Sequence, residues 1–267
     1  MDLPSLMQQL INNDPQLERV TIEDLHFRSA SGRTILNALS LNTIVTELSI
    51  YHQDYIGDYY SFDREVDREA GVALAELLTR NTTLTSLKLQ RLPNTVAIHF
   101  LPVLYHNTAL TSLQLSNNKF HVETGLAIAK VLEHNTSLMS LNMSSNYFGE
   151  PVGIAVAGAL EQNTTLTSLN LADTSLWNKG ALVLIDALKV NTTLLSLDIS
   201  NNGLDDLTGW SIGLMLEENT TLTNLGIWRQ RFEQTTLYNI KRLMDGRKTT
   251  QLPFIKSAVA SQPRKVL

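Results

Sequence analysis

The sequence predicts an α/β solenoid of about eight stacked repeats, with a parallel β-sheet on one face and α-helices on the other. The first observation is a motif, Asn-Thr-x-Leu-x-x-Leu, whose last five copies recur at a constant interval of about 28 residues. The second is a change of apolar spacing inside each copy, from every second residue to every third or fourth. A fixed period of this size is typical of stacked supersecondary units. The motif copies begin at Asn81, Asn107, Asn135, Asn163, Asn191 and Asn219.

The first half of each repeat has the pattern of a short strand. In the copy that begins at Asn135, Leu141 and Met143 alternate with polar residues, which indicates a strand with one buried face. Asn146 follows, and its amide can hydrogen-bond backbone groups of the turn and of the next coil. Phe148 is then predicted to pack into the core.

The second half of the repeat has helical spacing. Val156, Ala159 and Leu160 lie on one helix face, and small residues on that face let the helix approach the strands. Asn163 ends the helix, where we expect asparagine because it tolerates the left-handed backbone conformation. Each repeat is therefore strand, loop, helix, loop, and its apolar edges are buried only by stacking.

The repeats occupy residues 17–236, with a capping helix predicted in residues 1–16 and a C-terminal cap and tail in residues 237–267. Eight strand starts support this division: Leu17, Val45, Leu84, Leu110, Leu138, Leu166, Leu194 and Leu222. The capping helix shows apolar residues at helical spacing: Leu3, Leu6, Met7, Leu10 and Ile11. The closing helix shows the same spacing: Leu237, Ile240, Leu243 and Met244.

The run Leu138-x-x-Leu141-x-Met143-x-x-Asn146, followed by a full helix, resembles a leucine-rich repeat of the ribonuclease-inhibitor-like class. The resemblance implies a horseshoe with the sheet on its concave side and the helices on its convex side. The tandem Asn-Thr-x-Leu runs are similar to those of NOD-like receptor repeats. They are also similar to leucine-rich-repeat effectors that intracellular bacteria inject into host cells.

Composition narrows the classes of protein further. The chain has no cysteine, which excludes disulfide caps and zinc–cysteine sites and favours a reducing compartment. No apolar run approaches the roughly 20 residues that span a bilayer. Residues 1–228 carry a net charge of −12, which argues against nucleic-acid binding, whereas residues 229–267 carry +7. We therefore expect a soluble, cytoplasmic monomer that needs no cofactor.

Outward-facing strand positions form three columns on the predicted sheet. Small polar residues fill the middle of each column, and the row of serines there is explained by repeat duplication. The ends hold larger or charged side chains, with Tyr51 and Lys88 at one end and Trp228 at the other. Aromatic and arginine side chains often anchor partners, so these residues are candidate partner contacts. The alternative is that the aromatic rings pack over the end repeats.

An insertion at residues 51–70 breaks the period, because Val45 and Leu84 lie farther apart than any other two consecutive strand starts. Insertions within repeats map to loops, which are often on the binding face. This one combines acidic residues with aromatic candidate partner contacts: Tyr51, Tyr55, Tyr59, Tyr60 and Phe62. The alternative is a surface loop whose rings fold back over the second repeat. Its aspartates, Asp67 included, lack the ligand order of a calcium loop.

Trp177 lies where neighbouring repeats have His121, Gly149 or Asp205, so we expect it to be partly exposed. Together with Trp228, Arg229, Arg231 and Phe232, it marks a second candidate surface in the C-terminal half. By contrast, Trp210 occupies a column that other repeats fill with Leu126, Ile154 and Leu182. That equivalence predicts a packing role for Trp210.

No spacing of a catalytic triad, phosphate loop or metal-binding motif occurs, so we expect a non-enzymatic protein. The sequence therefore predicts a protein–protein interaction scaffold that binds through its concave face, the 51–70 loop, or both. The looser resemblance implies a bacterial effector acting in a host cytosol. The alternative is a regulator of an enzyme such as a small GTPase.

Overall fold

The computed structural model describes residues 2–23, 30–51 and 64–246. Within these ranges, eight strands form one parallel sheet whose spatial order follows the chain. The predicted α/β solenoid is therefore confirmed. The strands are β1 (Arg19–Glu23), β2 (Glu47–Tyr51), β3 (Ser86–Gln90), β4 (Ser112–Gln114), β5 (Ser140–Asn142), β6 (Ser168–Asn170), β7 (Ser196–Asp198) and β8 (Asn224–Gly226).

The same ranges contain nine α-helices, and successive helices pack against one another along the solenoid. Packed helices lie about 8–10 Å apart, whereas neighbouring strands lie about 4.8 Å apart, so the sheet forms the concave face. The helices are α1 (Leu3–Ile11), α2 (Ala30–Leu41), α3 (Arg64–Arg80), α4 (Asn94–Phe100), α5 (Val122–His134), α6 (Gly149–Gln162), α7 (Trp177–Val190), α8 (Asp206–Glu218) and α9 (Gln234–Asp245). A 3₁₀-helix at Leu101–Tyr105 follows α4.

The core is a single layer between sheet and helices. Leu141 and Met143 are buried from the strand side, and Val156 and Leu160 are buried from α6. Phe148 is fully buried, as predicted. The corresponding residues of neighbouring repeats are also fully buried: Phe120, Leu176 and Leu204.

Two of the three predicted concave columns are confirmed along all eight strands by the pairing register. Each strand pairs residue for residue with the next one, so equivalent positions of successive repeats become direct neighbours. The first column runs Arg19, Glu47, Ser86, Ser112, Ser140, Ser168, Ser196 and Asn224. The second runs Thr21, Ser49, Lys88, Gln114, Asn142, Asn170, Asp198 and Gly226.

The left-handed conformation predicted for the helix-ending asparagines is wrong. Asn163 has φ −74° and ψ 124°, which is extended backbone. Its Oδ1 accepts hydrogen bonds from the backbone N–H groups of Thr165 and Leu166, at 3.0 and 2.8 Å. Its Nδ2 donates to the carbonyl of Leu132 in the preceding repeat, at 2.7 Å. Asparagine is therefore needed for its amide, which joins two repeats. The same contacts recur at Asn135, Asn191 and Asn219.

The turn asparagines bond the preceding coil, whereas the sequence predicted the next one. Asn146 Nδ2 donates to the carbonyl of Leu115 at 2.9 Å, and Oδ1 accepts from the N–H of Phe120 at 2.9 Å. The amide reaches back because the carbonyl and N–H groups left open by stacking belong to the preceding coil. Gln230 continues this row at the last repeat, accepting from Leu204 N–H at 2.9 Å. Sequence reasoning had missed it.

Helices close both ends of the described solenoid. On α1, Leu10 is buried and most of the predicted apolar face packs against the core, but Ile11 is exposed in the last turn. Ile11 therefore does not belong to the covering face. On α9, three of the predicted closing residues are buried: Leu237, Ile240 and Met244.

Candidate functional site

The N-terminal end of the concave face carries a cation–aromatic pair. Tyr51 and Lys88 are diagonal neighbours on β2 and β3, and Lys88 Nζ lies 5.1 Å from the centroid of the Tyr51 ring. Both side chains remain partly exposed. An ammonium over a ring at this distance is a cation–π contact, which holds the two groups in a common orientation. An ion pair between Arg19 and Glu47, at 3.1 Å, lies next to it on β1 and β2.

The C-terminal end carries a second such pair. The backbone N–H of Trp228 donates to Ser200 Oγ at 2.9 Å, which ties the segment after β8 to the preceding repeat. Arg229 follows with φ +54°, and its Cζ lies 4.1 Å from the Trp228 ring. Arg229 is exposed and Trp228 partly so. The guanidinium and indole therefore form one partly accessible group.

Between the two pairs, the second column presents amides. The Oδ1 atoms of Asn142 and Asn170 accept from backbone N–H groups two residues later in the chain, at 3.0 and 2.9 Å. Their Nδ2 groups have no hydrogen-bond partner within residues 2–23, 30–51 and 64–246. These amides thus offer donors to an acceptor on a bound molecule.

Asp198 is the last side chain of this column, because the residue after it in the column is Gly226. A Cβ atom on Gly226 would lie 2.4 Å from Asp198 Oδ1, so the carboxylate occupies the space that a side chain on β8 would fill. Asp198 lies four strands from Lys88, or about 19 Å at ordinary strand spacing. The column is therefore polarised, with a cation near one end and an anion near the other.

The structure does not bring the predicted contacts into one pocket. Tyr51 and Lys88 lie on β2 and β3, whereas Trp228 and Arg229 follow β8, so the two pairs are about 25–30 Å apart. The arrangement is an extended face of protein-interface dimensions.

Trp177 lies on a different surface, the edge where strands lead into helices. It is the first residue of α7 with φ +47°, and its ring packs against Gly203 of the following repeat. The side chain is 47% exposed. His121 and Tyr147 stack on the same edge, with ring centroids 5.9 Å apart.

Four of the predicted contacts lie outside the described residues: Tyr55, Tyr59, Tyr60 and Phe62. Helix α3 begins at Arg64, so the last residues of the predicted 51–70 insertion belong to a helix. Asp67 is buried there and accepts a hydrogen bond from Thr95 Oγ1 at 2.9 Å.

Two sequence-based assignments in the C-terminal half were wrong. Phe232 is buried, so it supports the core and is not part of a contact surface. Trp210 is 64% exposed on α8, although its column predicted packing. The reason is that this column lies on the outer flank of the helices, since Leu126 and Ile154 in the same column are also exposed. Apolar residues repeated along a helix column therefore do not by themselves indicate burial.

The described part of the chain holds no group of three or more His, Cys, Asp or Glu that could bind a metal ion. None of the helices described there has the length and apolarity to cross a membrane.

The family described as Leucine Rich repeat matches residues 106–129, 134–150, 162–184 and 190–207. The chain therefore contains leucine-rich repeats, and with the eight-stranded sheet they define a leucine-rich-repeat solenoid. Such domains typically serve as protein-interaction scaffolds. No curated protein is similar enough in sequence to count as a relative.

Solved structures with similar folds include the leucine-rich repeat-containing protein LegL7 from Legionella pneumophila. It has a TM-score of 0.58 and 16% identity, over 90% of this chain and 75% of that one. Actin-binding site 2 of leiomodin-1 has a TM-score of 0.38 and 18% identity, over 93% and 90% of the two chains. The tropomodulin C-terminal domain from Caenorhabditis elegans has a TM-score of 0.38 and 12% identity, over 93% and 94%. At 16% identity the similarity to LegL7 concerns the fold alone.

Proposed function

We propose that this chain binds a protein partner through its concave face. The observation that carries the proposal is the pair of cation–aromatic groups, Tyr51 with Lys88 and Trp228 with Arg229, at opposite ends of a polar strip. Partly exposed aromatic and arginine side chains concentrate binding energy at protein interfaces. Because each ring is already held by its cation, little side-chain entropy is lost when a partner covers it.

The strip between the anchors favours a partner of complementary polarity. The free Nδ2 groups of Asn142 and Asn170 suit carbonyl or carboxylate acceptors. Lys88 and Asp198 carry opposite charges at opposite ends, so they orient an acidic and a basic group of the partner along the column. We propose that the aromatic residues between 55 and 62 extend this surface beyond Tyr51. Trp177 would add a contact at the neighbouring edge.

We further propose that the partner is a cytosolic protein of a host cell and that the chain acts as a bacterial effector. The resemblance of its repeats to leucine-rich-repeat effectors motivates this proposal. The cysteine-free composition is compatible with a reducing cytosol.

The test begins with capture of proteins from eukaryotic and bacterial lysates on the immobilised chain, followed by mass spectrometry. The captured protein is then purified and titrated against Tyr51→Ala, Trp228→Ala and the parent chain. We expect each substitution to weaken binding about tenfold or more, because each removes an anchor. Far-UV circular dichroism establishes that both variants remain folded.

The matched control is Tyr238→Ala, which removes an exposed ring from the convex helix α9. Its affinity should equal that of the parent. Equal affinities for all three variants would contradict the concave site, whereas a loss confined to Tyr238→Ala would move the site to the convex face. A partner captured only from bacterial lysate would contradict the host-cell proposal alone.

A further inference from the structure

Helix α8 presents an apolar surface on the convex side of the solenoid. Leu207, Trp210 and Leu214 are 57%, 64% and 59% exposed, and Tyr238 on the adjacent α9 is 67% exposed. The α8 residues follow one another at spacings of three and four, so they lie on one face of the helix. We call these four residues the convex patch. Clustered apolar side chains this exposed usually mark an interaction site on a protein surface.

The convex patch is a departure from the repeat pattern. Lys179 and Asp186 lie one full repeat before Leu207 and Leu214, on the adjacent helix α7. Charged residues at these two positions make the outer face of α7 compatible with exposure to solvent. Their replacement by leucine on α8 is therefore not a consequence of stacking, which is satisfied by the inner face of the helix.

The same chain contains a segment suited to this patch. Residues 247–267 lie outside the described part of the chain and come after Gly246, the residue that ends α9. Helix α9 packs against α8. The segment carries four apolar residues close together: Leu252, Phe254, Ile255 and Val259. Six to eight extended residues reach roughly 20–28 Å, and α8 is roughly 20 Å long. The segment is therefore long enough for its apolar cluster to contact the convex patch.

Charge also favours this segment. Residues 247–267 contain five Lys or Arg and no acid, whereas α8 contains three acids and no base. Two of those acids, Glu217 and Glu218, lie at the C-terminal end of α8, where the helix dipole disfavours negative charge. Arg247 and Lys248 begin the segment, directly after α9.

The sequence of the segment does not continue the solenoid. Positions one full repeat after Leu222 and Leu225, two buried residues of the last repeat, hold Thr250 and Pro253. Proline has no N–H to donate to a strand ladder. The sequence after α9 thus lacks the leucine spacing of a ninth consensus repeat.

We propose that residues 252–259 pack against the convex patch of the same chain. Leu252, Phe254 and Ile255 cover Trp210 and its neighbours, and the basic residues at the start of the segment lie beside the acids that end α8. The patch is then an internal docking site, separate from the concave face.

The absence of cysteine from the chain permits a direct test in the full-length protein. The double variant Leu214→Cys/Phe254→Cys is oxidised at micromolar concentration, and disulfides are identified by mass and non-reducing electrophoresis. We expect a high yield of intramolecular disulfide from this pair, because docking holds the two thiols beside each other, whereas tethering alone gives every site within reach an effective concentration of about millimolar. The control is Asp186→Cys/Phe254→Cys, which places the cysteine at the equivalent position of the adjacent helix α7, about 8–10 Å from α8 and still within reach of the segment. It should yield much less intramolecular disulfide.

Three outcomes would overturn the proposal. A disulfide-linked dimer in the first variant would assign the patch to a second copy of the chain. Equal yields in both variants would show no preference for α8. Absence of disulfide in both would place the segment elsewhere, such as at the open edge of β8. As a measurement without cysteine, acrylamide quenching of Trp210 in a Trp177→Phe/Trp228→Phe background should increase when Phe254→Asp is added.

Discussion

The ring of Trp177 packs against Gly203 of the following repeat, so closely that a Cβ atom on Gly203 would lie 2.5 Å from Trp177 Cζ3. Gly203 also has φ +72°, a conformation that other residues rarely adopt. Backbone and space therefore both require glycine at this position. Two repeats earlier, His121 occupies the position equivalent to Trp177, and Tyr147 the position equivalent to Gly203. There the His121 ring stacks on the ring of Tyr147.

Gly203→Ala should destabilise the protein by about 1–3 kcal/mol, since it adds left-handed strain to a clash with an indole. Urea unfolding measures the change in free energy. In a Trp210→Phe/Trp228→Phe background, the emission of Trp177 should also shift to longer wavelength as its ring becomes more exposed.

The matched control is Gly158→Ala on α6, where a Cβ atom would have no neighbour within 4 Å. Alanine is favoured over glycine in a helix by about 1 kcal/mol, so this variant should be as stable as the parent or more so. Equal stability of the two alanine variants would contradict the proposed fit of Trp177 to Gly203.

Asn163→Gly should be as destabilising as Asn163→Ala. Both leave the N–H groups of Thr165 and Leu166 without their acceptor in a buried turn, at a cost of about 2–4 kcal/mol. If a left-handed conformation were the reason for asparagine, glycine would preserve stability. Chemical denaturation of the two variants therefore distinguishes the hydrogen-bonding role from the conformational one.

Gly226→Ala should cost about 1–3 kcal/mol, because its Cβ would overlap the carboxylate of Asp198. Adding Asp198→Ala should recover part of that loss by removing the carboxylate. The control is Asp198→Ala alone, which loses the hydrogen bond that Oδ1 accepts from the Ser200 N–H at 2.9 Å. Strict additivity in the resulting double-mutant cycle would show that the two residues do not interact.

Tyr51 and Lys88 should be energetically coupled by about 0.5–1 kcal/mol, the usual range of an exposed cation–π contact. The measurement is a double-mutant cycle of Tyr51→Leu and Lys88→Gln by urea unfolding. The comparison is the coupling energy of the Arg19–Glu47 pair. Added salt should lower it, because salt screens an exposed ion pair. A coupling energy of zero would mean that the ring and the ammonium are only neighbours.

Periodicity alone predicted three features: the strand columns, the closing helix, and the buried row formed by Phe120, Phe148, Leu176 and Leu204. The strand period of two predicts that Leu141 and the equivalent residues of the other repeats face inward. The exposure of Trp210 could not be predicted in this way. An apolar column on a helix flank has the same spacing as one on its inner face, and only the position of the neighbouring helices distinguishes them.

The candidate site could likewise be predicted only in part from the sequence. Tyr51, Lys88, Trp228 and Arg229 were recognisable as departures from a small polar column, but their pairing across strands and turns was not. The constant period by itself determined the order of strands, their register and the presence of a concave polar face, because stacking makes equivalent residues neighbours. Only the tertiary structure decided the direction of the asparagine amides, the fit of Trp177 to Gly203, the carboxylate over Gly226 and the apolar face of α8. These features depend on distances between atoms of successive coils, which a one-dimensional pattern does not contain.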